Sequence, residues 1–190
     1  MILESLLTSQ NIDCVRESKK LLAKTLLQFE DKKDIARQYL EELYSEKKDI
    51  KLAVELMTLS TDLGDLKSAN KYYKESIALI ENGAKFNLTL LNYLYFASLV
   101  YLKSTFDEAM VLFLKLITDF KKIGILDYHF LVTRNLPSFY DFLKKVEQLY
   151  LDNGKKFELI EFLKSELQWV DESGKKVINE ILTNHNLKDI

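Results

Sequence analysis

Apolar residues recur along this chain at intervals of three and four, the spacing that gathers them on one face of a helix. Val15, Leu22, Leu26 and Phe29 form one stripe, opened by Asn11 or Asp13 as a cap. Behind Asp31 come Ile35, Ala36, Tyr39, Leu40 and Leu43, and behind Asp49 come Ala53, Leu56, Met57 and Leu59. Asp65 opens a helix that ends near Asn82-Gly83, where glycine suits a left-handed stop. Residues 87–102 are apolar almost all round, the pattern of a helix buried on more than one side. Thr105 and Glu108 predict a capping box for the next helix. Pro137 reads as the first residue of a helix ending at Asn153-Gly154, where its missing N–H costs nothing. A further helix runs from Lys156 to about Val170, and Ser173 begins a last one through Val177, Ile178, Ile181 and Leu182. A short helix over 2–9 precedes them all, and residues 125–135 read as either a short helix or an irregular crossover.

Two of these segments share one spacing. Gly64, Leu66, Ala69, Tyr73, Ile77 and Ile80 are answered by Ser104, Phe106, Ala109, Phe113, Ile117 and Phe120. Such self-similarity predicts a stacked helical-repeat architecture. Composition agrees: one proline and five glycines among 190 residues are too few for the many tight turns of a β protein. No linker rich in Pro, Gly or Ser interrupts the chain, which reads as one domain over 1–190.

Pairing the helices gives hairpins, and the second helices of the pairs over 49–82 and 87–122 resemble the tetratricopeptide repeat. The family's turn and second-helix start match Gly64-Asp65-Leu66. Its small residue matches Ala69 and Ala109, and its aromatic matches Tyr73 and Phe113. Its first-helix positions match Leu56 with Met57 and Phe96 with Ala97. A small residue lets the paired helix approach closely, and the aromatic one turn later fills the gap. The likeness fades outward. Residues 15–47 keep Ala36 but place Lys24 where a small residue belongs. Residues 136–170 place Phe157 and Ile160 where aromatic and Ala belong, then Lys164 where the aromatic should return. Helix 173–186 would cap the array. The resemblance implies an all-α fold of antiparallel helical hairpins stacked as a short right-handed α-solenoid.

It also implies a concave groove lined by the first helix of each hairpin, used to bind extended peptides or partner helices. Lys51, Val54, Thr58 and Thr61 would face it from one repeat, and Leu91, Leu94, Ser98 and Tyr101 from the next. Leu21, Thr25 and Gln28 would contribute from the weak repeat. Many chaperone-binding members hold a C-terminal carboxylate with Lys, Asn and Arg. Here those positions read Leu21, Thr25, Glu55, Leu91 and Tyr95, so the groove is apolar with one aromatic. That suits an apolar or helical partner, unless the same residues pack against the chain's own helices.

Catalytic chemistry is sparse. His129 and His185 are the only histidines, and one Cys with two distant His cannot supply spaced metal ligands. His129 would need a loop to pair with Asp127, because residues two apart do not share a helix face. His185 sits in a polar tail and reads as solvated. Cys14 has Arg16 two residues on, which would lower its pKa, but a lone Cys on a helix reads first as a small core residue. The glycines sit singly at helix ends, so no phosphate loop is present, and no catalytic, metal or cofactor site is expected. The net charge of −2 is a poor footprint for nucleic acid. A lone cysteine, no basic leader and no apolar run near 20 residues give the expectation of a cytoplasmic protein without a membrane span. The sequence Asn87-Leu88-Thr89 matches a glycosylation acceptor, read as coincidence on the same grounds. Function is therefore expected to be non-catalytic: a protein–protein interaction or scaffold module. The alternative is a peptide-sensing domain resembling tetratricopeptide-type bacterial quorum-sensing regulators, and a helical enzyme relying on His129 is the third.

Overall fold

A computed structural model describes residues 7–123 and 136–185. The described residues form nine α-helices and one 3-10 turn, with no strand among them. In chain order these are α1 (Ile12–Leu26), the 3-10 turn Glu30–Lys32, α2 (Lys33–Glu46), α3 (Ile50–Asp62), α4 (Leu66–Glu81), α5 (Leu88–Tyr101), α6 (Phe106–Ile123), α7 (Phe139–Asp152), α8 (Lys156–Glu166) and α9 (Glu172–Asn184). The helix over 2–9 and the crossover over 125–135, with Gly124, Asp127 and His129, lie outside the described residues.

Short polar side chains set most helix starts, by satisfying backbone N–H groups that have no helical acceptor. Asn11, rather than Asp13, caps α1: its Oδ1 accepts from the N–H groups of Asp13 and Cys14 at 3.0 and 3.2 Å. Asp49, Asp65, Asn87 and Asp171 cap α3, α4, α5 and α9 in the same way. Thr105 receives the Glu108 N–H at 3.4 Å, one half of the expected box. The complete capping box is at Ser138, whose Oγ accepts from the Asp141 N–H while the Asp141 carboxylate accepts from the Ser138 N–H. Pro137 therefore precedes the cap instead of opening the helix. Asp31 lies in the 3-10 turn, and α2 starts at Lys33 without a side-chain cap. α1 stops at Leu26, and Phe29, expected on its apolar stripe, is exposed.

The chain divides into two compact units, Met1–Phe86 and Asn87–Ile190. The sequence shows no boundary there because the connection is only the few residues after α4, around Gly83. In the first unit each helix packs on the next, α1 on α2, α2 on α3 and α3 on α4. Leu22, Ala23, Ala36, Leu40, Leu43, Leu56, Met57 and Ala69 are buried there. In the second unit α7 packs against α5, α6, α8 and α9. An aromatic cluster fills that unit: Phe142 stacks on Phe120 at 4.8 Å between ring centroids and lies 6.1 Å from Phe113 and 6.2 Å from Phe96.

One helix end recurs along the chain. Gly64, Lys103 and Gly154 all have left-handed backbones, with φ of 74°, 52° and 69°. At each, that residue's N–H donates to the carbonyl three back (Thr61, Val100, Leu151), and the next N–H donates to the carbonyl five back (Ser60, Leu99, Tyr150). Gly83 closes α4 with the same pair of bonds, as its sequence predicts. This is the helix stop that glycine favours; Lys103 adopts it despite its Cβ. The helices before Gly64, Lys103 and Gly154 match in burial as well. Residues 52–64 and 91–103 run through the same order of buried, half-buried and exposed positions, and 142–154 departs from it only at Leu151 and Asn153.

These anchors correct the sequence register. The residue equivalent to Gly64 is Lys103 and not Ser104, which is an added residue in the turn before the Thr105 cap. Leu56 and Met57 correspond to Tyr95 and Phe96, all four buried, while Ala97 is half-buried. In α8 it is Leu159, fully buried, that stands at the level of Ala69; Phe157 is exposed. In α4 the buried tyrosine is Tyr72, and Tyr73 is half-buried.

Candidate functional site

The expected groove residues divide by exposure. Lys51 and Tyr101 are exposed, Tyr101 at 58%, and Val54, Thr58 and Leu94 are half-buried. Leu91, Ser98 and Thr61 are at 0%, 3% and 9%. They belong to the helix packing, because each sits on the inward-turned side of an apolar helix. The Ser98 and Thr61 hydroxyls are spent on their own helices, donating to the carbonyls of Leu94 at 2.9 Å and Met57 at 3.1 Å. Thr58 does the same toward Val54 and Glu55. The weak-repeat residues Leu21, Thr25 and Gln28 are all exposed. The four residues 51, 54, 58 and 61 belong to the first unit, and 91, 94, 98 and 101 to the second.

Sequence reasoning missed a cleft of about 420 Å³ in the first unit. Asp13, Arg16, Glu17, Lys20 and Lys24 line it from α1, Leu40 from α2, Lys47 and Asp49 from the α2–α3 connection, and Lys51, Leu52 and Glu55 from α3. Two of its carboxylates are already engaged. Glu17 pairs with Lys20 at 2.7 Å, and Asp49 accepts from the N–H groups at the start of α3. Lys20 holds the Glu17 carboxyl below its usual range by hydrogen bonding and charge. The Arg16 Nε is buried with no hydrogen-bond partner. Among the described residues the side chains of Lys24, Lys47 and Lys51 make no hydrogen bond or ion pair. The signal was present in the sequence: Arg16, Lys20 and Lys24 recur every fourth residue, which puts three cations along one side of α1.

In the same unit, α2 and α4 are joined by charge. Arg37 donates to Glu41 at 3.0 Å, to Asp65 at 3.1 Å and to Ser68 at 2.9 Å. Tyr72 donates to the same Glu41 at 3.0 Å. Burial first, and then the neighbouring Glu41 carboxylate, push the Tyr72 phenol well above its ordinary value. Hydrogen bonds from Ser68, helped by Arg37, hold Asp65 below the ordinary carboxylate value. These groups form a structural clamp between α2 and α4.

The two remaining sequence candidates behave differently from each other. Cys14 is half-buried and free. His185, expected to be solvated, is instead partly buried, and its Nε2 meets the Glu147 carboxylate. Lys144 pairs with the same carboxylate at 3.0 Å. The reason is tertiary: α9 packs on α7, and this brings residue 185 beside a buried glutamate 38 positions earlier. Among the described residues no group of three or more His, Cys, Asp or Glu is placed to hold a metal ion. No helix among them is long and apolar enough to cross a membrane. The chain matches no protein-family model, no curated protein and no solved structure.

Proposed function

We propose that this protein is a non-catalytic interaction module, built of tetratricopeptide-like helical hairpins, that receives a peptide or helix of a protein partner. The observation that carries the reading is the helix stop repeated at Gly64, Lys103 and Gly154 with a shared burial order before it. A unit repeated in geometry while its side chains vary is the mark of a fold that stacks copies of itself and varies the surface between them. Partner contacts fall to the accessible members of the first-helix set, Lys51, Val54 and Thr58 in the first unit and, separately, Leu94 and Tyr101 in the second. Exposed Tyr101 supplies the kind of large, part-apolar anchor on which binding energy concentrates. A lone cysteine in 190 residues supports reducing, intracellular surroundings for this module.

The test is affinity capture with crosslinking, comparing the parent chain with Leu94→Asp and Tyr101→Asp. Circular dichroism first establishes that both variants fold. Specific partners captured by the parent are expected to be lost from both. Retention of every partner by folded variants rejects this surface.

A further inference from the structure

We infer that the charged cleft of the first unit binds a phosphorylated serine or threonine that has a basic neighbour in the partner's sequence. The inference rests on the interaction-module reading and adds the chemistry of the partner. Four cations, Arg16, Lys24, Lys47 and Lys51, reach one space from α1, the α2–α3 connection and α3, and their side chains make no hydrogen bond or ion pair among the described residues. Convergence from three elements separates this from the solvated Lys faces that any helical protein carries. The Arg16 Nε is buried without an acceptor among the described residues, so the guanidinium is held in place with its hydrogen-bonding capacity unspent. A phosphomonoester carries roughly −1.5 to −2 charge and three strong acceptor oxygens at one point, which fits a planar arginine fork beside lysine ammonium groups.

The lining carries both signs, and this selects among anions. Asp13 and Glu55 are carboxylates of the same cleft that pair with no cation among the described residues. A run of acidic side chains, or an anionic lipid surface, would set negative charge against them. A single phosphate flanked by Lys or Arg puts each charge opposite its complement. The volume of about 420 Å³ is in the range of pockets that hold a few side chains rather than a whole helix.

The test presents the immobilised full chain with two degenerate nonapeptide libraries that differ only in whether the central Ser or Thr is phosphorylated. The phosphorylated library is expected to be retained at least tenfold more strongly, with Lys and Arg enriched beside the phosphate. Folded Arg16→Gln and Lys51→Ala chains are expected to lose most of that difference, and Glu55→Gln to lose the basic enrichment while keeping phosphate dependence. Equal retention of the two libraries overturns the proposal, as does undiminished retention by both cation variants. Competition by free phosphoserine or by a poly-glutamate peptide as strong as that of the retained peptides overturns it too, in favour of a small metabolite or a general acidic ligand. Leu94→Asp and Tyr101→Asp separate the two readings. If phosphate dependence is absent while partner capture still needs Leu94 and Tyr101, the phosphate inference falls and the module reading stands; in the reverse pattern the phosphate inference stands and Leu94 and Tyr101 leave the contact surface.

Discussion

In the Met1–Phe86 unit, α2 and α4 meet through charge: Arg37 gathers Glu41, Asp65 and Ser68, and Tyr72 adds its hydroxyl to Glu41. In the Asn87–Ile190 unit, α5, α6 and α7 meet through rings, with Phe142 against Phe96, Phe113 and Phe120. Both contain helices that share one burial order and one type of stop. The shared backbone plan thus accepts two kinds of cement. A network of part-exposed charges fixes geometry while adding little net stability, because each ion pair gives up hydration that nearly offsets its attraction. A ring cluster removes large apolar areas from water and adds favourable edge and stacking contacts. The second unit should therefore be hurt by loss of volume, and the first by loss of polarity and by pH.

The largest expected effect is Phe142→Ala. Its ring is fully buried and touches three others, so stability measured by urea unfolding should fall by about 3–5 kcal/mol. A loss below about 1 kcal/mol would erase the contrast between the units. Asp65→Ala should cost about 1–2 kcal/mol near neutral pH, since it removes both a helix cap and an Arg37 partner. Tyr72→Phe, which deletes only the hydroxyl to Glu41, should cost about 1 kcal/mol.

Acid sharpens the same comparison. The folded-state pKa of Asp65 is depressed from the ordinary 3.8, so its contribution is complete above that value and is lost as the pH falls through the lower folded value. The parent should accordingly lose its stability advantage over Asp65→Asn below pH 3.8, read from unfolding curves of the two chains at a series of pH values. An advantage unchanged down to the acid limit would remove the carboxylate from the account.

The smallest effect tests the shared helix stop. Lys103 holds a backbone that costs a side-chain-bearing residue about 1 kcal/mol, so Lys103→Gly should raise the thermal midpoint slightly, while Gly64→Ala should lower it. Shifts of the same sign for both would mean that the two turns are not equivalent.

The comparison also shows how far the sequence could be read. Helix starts were legible at Asp49 and Asp65, and at Asn11 as one of two candidates with Asp13, because a cap acts within three residues; Asn87 caps α5 without having been singled out for it. The Ser138–Asp141 box was equally local and was overshadowed by Pro137, whose preference for a first helical position is a statistical tendency that the neighbouring serine overrode. The shared spacing around Ala69 and Ala109 was legible, but the helix stop before it was set one residue off at Ser104, since nothing in a lysine announces a left-handed backbone. The accessible residues of the expected groove could not be told from the packed ones: Leu91 and Leu94 are the same residue type on the same helix. The basic spacing of Arg16, Lys20 and Lys24 was visible, yet its meaning depended on Lys47 and Lys51 arriving from beyond that helix.

By itself the sequence determined that the chain is helical and where most helices begin, because caps, glycine stops and apolar spacing act over a few residues. The tertiary structure alone decided the rest. It placed the unit boundary beside Gly83, put Lys103 in the glycine role, brought His185 to Glu147, and enclosed a mixed-charge cleft between α1 and α3. Each of these depends on which helix faces which, and that is settled by the burial of side chains distant in the chain.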